Sequence, residues 1–183
     1  MTDCCCTCTK KLNTYLANLG VWTVKLHSLH WNVTGRLFHA LHTYTEQLYD
    51  ESFEAYDAVA ELMKMRDQFP LSTMKEYLEY TTLEEAPARV FTCCEVTKML
   101  EDDMTKMRDL ALEIRAAAAE KDDFRVVTMF EDFIKGYDKQ LWFLRAMRKE
   151  IPAPEGTCTT GSCETDTCKD GECETQSCGC SKE

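Results

Sequence analysis

The stretch His30-Trp31-Asn32-Val33-Thr34-Gly35-Arg36-Leu37-Phe38-His39-Ala40-Leu41-His42 decides the fold. Thr34-Gly35 is a break between two long periodic segments. Upstream, Leu12, Leu16, Leu19, Thr23, Leu26 and His30 recur at intervals of four and three. That spacing places them on one helical face and predicts a helix from about Lys10 to Val33. Downstream, Leu41, Thr45, Leu48, Ser52, Ala55, Val59 and Leu62 keep the same spacing, predicting a helix from about Leu37 to Gln68. Pro70 ends it.

Farther along, a short helix is expected over Ser72–Tyr80, with Ser72 or Thr73 at its cap. A third long helix is expected to start near Pro87, a residue suited to a first helical turn. Its stripe is Cys93, Val96, Leu100, Met104, Met107, Ala111 and Ile114. A fourth runs from about Asp123 to Lys149, with Val127, Phe130, Ile134, Tyr137, Leu141 and Leu144 inward, and Pro152 and Pro154 beyond it. The expectation is an all-α four-helix bundle, with a short helix in a long connection between the second and third long helices. Three regions follow: a cysteine-rich start (1–9), a helical domain (10–151) and a cysteine-rich tail (152–183).

Composition agrees with helices. In 183 residues there are only 7 Gly and 4 Pro, too few for the many tight turns of a β-rich fold. The net charge of −11 repels DNA phosphates and anionic lipid and attracts cations. No apolar run reaches transmembrane length, and Met1-Thr2-Asp3-Cys4-Cys5-Cys6 lacks the apolar core of a signal peptide. A cytoplasmic location is therefore expected. There the 12 cysteines would be thiols or metal ligands rather than disulfides.

All 4 histidines lie between positions 27 and 42. His27 and His30 are three apart, as are His39 and His42, so each pair shares a helix face. Glu46 follows His42 by one turn, and Asp57 and Glu61 share a face farther along. Imidazole and carboxylate donors suit iron, manganese or zinc. Distance constrains the arrangement: 15 helical residues separate His42 from Asp57, roughly 22 Å at the α-helical rise. Both can reach one metal only if a second copy of the helix runs antiparallel, as in a two-fold dimer with two equivalent sites. Leu48, Tyr49, Phe53 and Tyr56 offer surface for that packing. A helical histidine is often no more than a half-buried side chain, so spacing alone leaves both readings open.

His30-Trp31-Asn32-Val33-Thr34-Gly35, Phe38, Leu41-His42, Glu46, Tyr49, Asp57 and Ala60-Glu61 together resemble the signature of the Dps family, the mini-ferritins of the ferritin-like superfamily. Lys75-Glu76-Tyr77-Leu78 and Glu84-Glu85-Ala86 resemble its inter-helix segment. The likeness covers about residues 10–151. It implies a hollow dodecameric shell that oxidises Fe²⁺ and stores ferric mineral. The ferroxidase sites would be di-iron and would lie at dimer interfaces. His30, His42 and Glu46 would come from one subunit, and Asp57 and Glu61 from its two-fold partner. Many members carry aspartate at the Glu46 position, so the longer side chain here is expected to shift the second, weaker iron position. Trp31 matches a tryptophan near the family's site and is either a radical quencher or a core aromatic. His27 and His39 are either auxiliary ligands or packing and surface residues. Asp122 and Asp123 are candidates for lining a pore, or simply helix-end charges.

The tail departs from the family. Cys158, Cys163, Cys168, Cys173 and Cys178 recur every five residues, then Cys180 follows, among Thr, Ser, Gly, Asp and Glu. With no apolar residues to bury, the segment is expected to be disordered without a ligand. Regular thiolates suit zinc or copper, or an Fe–S cluster; redox disulfides and no defined role are the alternatives. Cys4, Cys5, Cys6 and Cys8 could join the same system. Cys93 is read as a small core residue. Basic residues near the ends are few: Lys10 and Lys11 at the start, and Lys169 and Lys182 against 7 acidic residues from Glu155 onward. Direct DNA binding is not expected. The leading function is an iron-storing ferroxidase that consumes hydrogen peroxide and protects against oxidative stress. The alternatives are a soft-metal buffer built on the cysteine-rich ends and a DNA-compacting protein.

Overall fold

The computed structural model describes residues 3–149, with side chains from Cys8 onward. Four long helices dominate: α1 (Asp3–Asn32), α2 (Phe38–Lys64), α4 (Cys93–Ala119) and α5 (Phe124–Arg148), with the short α3 (Met74–Tyr80) between α2 and α4. The expected stripes form the core. Leu12, Leu16, Leu19 and Leu26 of α1, Leu41, Leu48, Val59 and Leu62 of α2, and the whole α4 stripe from Cys93 to Ile114 are buried. On α5, Phe130, Tyr137, Leu141 and Leu144 are buried, while Val127 and Ile134 pack at the edge.

Two helix starts differ from expectation. α1 begins at Asp3, not near Lys10, so the backbone of residues 3–9 continues the helix. Cysteine and threonine are mediocre helix formers, but adding turns to an existing helix avoids the costly nucleation step. α4 begins at Cys93, not near Pro87. There Thr92 and Glu95 form a capping box: Thr92 Oγ1 accepts from the Glu95 N–H, and Glu95 accepts from the Thr92 N–H at 2.8 Å. That pair satisfies two orphan backbone donors, which Pro87 cannot do. Thr73 caps α3 in the same way, with Glu76.

A two-residue parallel pairing, β1 (Val33–Thr34) with β2 (Phe91–Thr92), was not expected. It ties the α1–α2 turn to the start of α4. Gly35 is needed there. Its φ is +115°, and a Cβ would stand 3.1 Å from Cys93 Sγ. Cys93 is a buried core residue whose thiol donates to the Thr34 carbonyl. α3 packs on α1, where a Cβ at Gly20 would lie 2.9 Å from the Tyr77 ring. Within the bundle, Lys25 of α1 and Asp103 of α4 form a buried ion pair at 2.7 Å. Among the described residues no helix is long and apolar enough to cross a membrane. The tail cysteines Cys158, Cys163, Cys168, Cys173, Cys178 and Cys180 lie outside the described residues.

Candidate metal centre

The α1–α2 turn brings His30, on the last turn of α1, against His42, on the second turn of α2. Their rings stack at 3.6 Å between centroids, 20° from parallel. Each ring bonds the other residue's backbone. His30 Nδ1 donates to the His42 carbonyl at 2.8 Å, and His42 Nδ1 donates to the His30 carbonyl at 2.9 Å. A carbonyl only accepts, so both Nδ1 atoms carry a proton, and in the neutral imidazole the lone pair is then on Nε2. Metal-binding histidines need this state, and such a partner on the other nitrogen orients the ring. The donor set therefore fits a transition-metal ion.

Tyr49 organises the surroundings. Its ring stacks on His27 at 3.9 Å and meets His30 edge-on at 5.4 Å. Its hydroxyl bonds the Glu46 carboxylate, and partial burial, then the charges of Glu46 and Asp50, raise its pKa. Tyr49 thus tethers Glu46 one turn from His42. His27 Nδ1 donates to the Thr23 carbonyl at 2.8 Å, leaving its Nε2 as the acceptor-type nitrogen too. His39 is exposed. Trp31 is not a core aromatic: it is 69% exposed, with its ring edge on His27 at 5.6 Å. Position on the last turn of α1, facing away from the bundle, explains the exposure.

Asp57 and Glu61 are exposed on the same unbroken helix α2, remote from the histidine pair. Among the described residues no group of three or more His, Cys, Asp or Glu comes together as a metal site within the chain. One face of α2 nevertheless carries His42, Glu46, Asp50, Phe53, Asp57 and Glu61 at helical spacing. Phe53, at 63% exposed, sits in its middle. Sequence reasoning missed Asp50 in this stripe and the stacking role of Tyr49; the spacing of Asp50 from Glu46 could have revealed the first. Asp123 is paired with Arg66, both mostly buried, and Asp122 has φ +54° in the α4–α5 turn. Arg66 thus gives Asp123 an ion-pair role at that corner.

The ferritin-like domain family matches residues 9–153. The DNA protection during starvation protein of Listeria innocua is 34% identical over 146 residues, covering 77% of this chain and 91% of the relative. The protein of that name from Brevibacillus brevis is 33% identical, covering 74% of this chain and 90% of its own. Among solved structures, a Dps protein from Bacillus brevis superimposes with a TM-score of 0.78 at 30% identity, covering 81% of this chain and 99% of its own. Antigen TpF1 from Treponema pallidum superimposes with a TM-score of 0.79 at 25% identity, covering 82% and 96%. With its helical bundle, its histidine pair and these relatives, the chain belongs to the Dps group of the ferritin-like family.

Proposed function

We propose that this protein is an iron-storage shell that oxidises Fe²⁺ with hydrogen peroxide at sites shared between two subunits. Family membership supports iron storage and protection against oxidative stress as its general role. The observation that carries the specific reading is the reciprocal bonding of His30 and His42, which leaves two parallel imidazoles with free Nε2 atoms. Fe²⁺ is the substrate. His30, His42 and Glu46 of one subunit would bind it together with Asp57 and Glu61 of the two-fold partner.

The register of α2 supports that sharing. His42 and Glu61, Glu46 and Asp57, and Asp50 and Phe53 are all centred between Glu51 and Ser52. A two-fold axis crossing an antiparallel α2 pair at that point sets all three pairs side by side at once. The exposed Phe53 of each chain then lies beside Asp50 of the other, within one turn of its own symmetry copy, and its burial favours the dimer.

Two ferrous ions each give one electron; peroxide takes both, with two protons, and leaves as two water molecules. Paired delivery avoids one-electron cleavage of peroxide to hydroxyl radical. The chain holds the ions and supplies negative charge that favours the ferric product. The assembly would be the dodecamer of the family, in the cytoplasm. With a net charge of −11, it would not bind DNA directly.

Anaerobic Fe²⁺ loading, then one peroxide per two irons, tests the reading. Wild type should show fast growth of ferric absorbance with iron kept in solution, and the His30→Ala, Asp57→Ala variant should not. Equal behaviour of both, matching iron in buffer, rejects it. The second reading, soft-metal buffering by the cysteine-rich ends, is favoured by the five-residue recurrence from Cys158 to Cys178. Under it, zinc or copper loading survives in the same double variant.

A further inference from the structure

The structure sorts the 12 cysteines. Cys8 and Cys93 are buried in the bundle, and the Cys93 thiol donates to the Thr34 carbonyl. Among the described residues, no three groups from His, Cys, Asp and Glu converge as a metal site. The compact helical unit closes at Arg148, the last residue of α5. Half of the cysteines come after that point: Cys158, Cys163, Cys168, Cys173, Cys178 and Cys180. Packing accounts for Cys8 and Cys93, but it does not explain a run of six at an almost fixed period.

The ligands decide which metal suits the run. Its soft donors are all thiols, because the 4 histidines lie between positions 27 and 42. A structural zinc takes four ligands in a closed tetrahedron, often with imidazole among them. Six thiols exceed one such site and fall short of two. Both common Fe–S patterns contain a cysteine pair with two residues between. Here four residues separate each neighbour up to Cys178, and one separates Cys178 from Cys180. Cu⁺ fits better. It is a soft ion that thiolate selects, and bridging thiolates can serve more than one ion. If each ion takes roughly three thiolates and each thiolate bridges two ions, six thiolates hold about four Cu⁺. From Glu155 onward, 7 acidic residues against Lys169 and Lys182 also favour a cation.

We propose that the run from Cys158 to Cys180 is a Cu⁺ store, holding about four ions in one thiolate-bridged cluster. This rests on the soft-metal reading above and narrows it to one ion and one ligand set. It suits a protein that meets peroxide. Free Cu⁺, like Fe²⁺, gives one electron to peroxide. The O–O bond then breaks to hydroxide and hydroxyl radical, and the ion leaves as Cu²⁺. An ion whose coordination positions are all filled by thiolate has none open to peroxide. One chain would thus withdraw both ions that feed the same radical chemistry, Fe²⁺ through the bundle and Cu⁺ through the cysteine run.

The test is an anaerobic titration of the full, reduced chain with Cu⁺ against bathocuproine disulfonate, a coloured competitor. Beside it runs a variant with these six cysteines changed to serine, which removes the contribution of Cys4, Cys5, Cys6, Cys94 and the histidines by difference. Wild type should retain about four more Cu⁺ per chain and show the luminescence of thiolate-bridged Cu⁺ under ultraviolet light. Peroxide-driven Fe²⁺ oxidation should be the same in both, since no iron ligand is altered. Cys178→Ser with Cys180→Ser should lower the Cu⁺ count, whereas a four-thiolate zinc site would keep its stoichiometry. Zinc is titrated in the same way with a zinc-sensitive dye. Equal Cu⁺ retention by wild type and the six-serine variant overturns the proposal. If zinc retention is also equal, the soft-metal reading falls with it; if wild type alone retains zinc, that reading stands without copper. One Cu⁺ per thiol, without luminescence, overturns the shared cluster.

Discussion

The imidazoles of His30 and His42 donate their Nδ1 protons to each other's backbone carbonyls, at 2.8 and 2.9 Å. Since the acceptors are main-chain atoms, replacing one histidine leaves the other with its partner and its tautomer. Single His30→Ala and His42→Ala variants should therefore keep their helical content while losing at least about tenfold in Fe²⁺ oxidation rate. Stopped-flow ferric absorbance beside far-ultraviolet circular dichroism separates loss of a ligand from loss of fold.

Tyr49 holds Glu46 by a hydrogen bond and stacks on His27. Tyr49→Phe keeps the ring and removes the tether. Anaerobic calorimetry should show Fe²⁺ affinity falling roughly three- to tenfold, the worth of one exposed, charge-assisted hydrogen bond. Glu46→Gln should lose more, because the carboxylate itself is then gone. A Tyr49→Phe protein that binds iron like wild type would remove Tyr49 from the site.

Lys25 and Asp103 are buried together, with side chains 6% and 4% exposed. Burial raises the Asp103 pKa, and the hydrogen bond and charge of Lys25 only partly oppose it. Lys25→Met would leave a buried carboxylate without its cation and should destabilise the bundle by about 3–5 kcal/mol. Adding Asp103→Leu should restore most of that loss. Chemical denaturation of the three variants against wild type measures both steps.

Much of this was legible in the sequence because it depends on spacing along one helix. The faces of α1, α2, α4 and α5 follow from the apolar period, and the remoteness of Asp57 from His42 follows from the helical rise. Contacts between elements were not legible. The reciprocal bonds of His30 and His42 exist only because the Thr34-Gly35 turn folds α2 back on α1. The β1–β2 pairing joins residues 58 positions apart, and two residues per strand leave no periodic signal. The start of α4 was legible but misread: Thr92 and Glu95 carry the capping-box spacing, and Pro87 drew the boundary too early. Trp31 was open between core and surface because an indole suits either place, and only the packed bundle shows which way the last turn of α1 faces.

Glu95 gives the start of α4 a pH dependence. Arg89, then the backbone and hydroxyl of Thr92, hold its carboxyl at about 2, below its ordinary 4.5. A depressed carboxyl pKa stabilises the fold above the unfolded value and loses that contribution as pH falls through the folded one. Wild type should thus be more stable than Glu95→Gln above pH 4.5, and the gap should close between 4.5 and about 2. Thermal midpoints of both proteins across that range provide the check.

The central claim is that each iron site is completed by a second subunit, and complementation tests it most directly. Equal amounts of His30→Ala and Asp57→Ala chains are unfolded, mixed and co-assembled, and peroxide-driven Fe²⁺ oxidation is measured. Each variant alone should be inactive. In a mixed dimer, one of the two sites combines the intact His30 of one chain with the intact Asp57 of the other. Random pairing should then restore about a quarter of the wild-type rate. A mixture no more active than either variant alone would contradict the shared site.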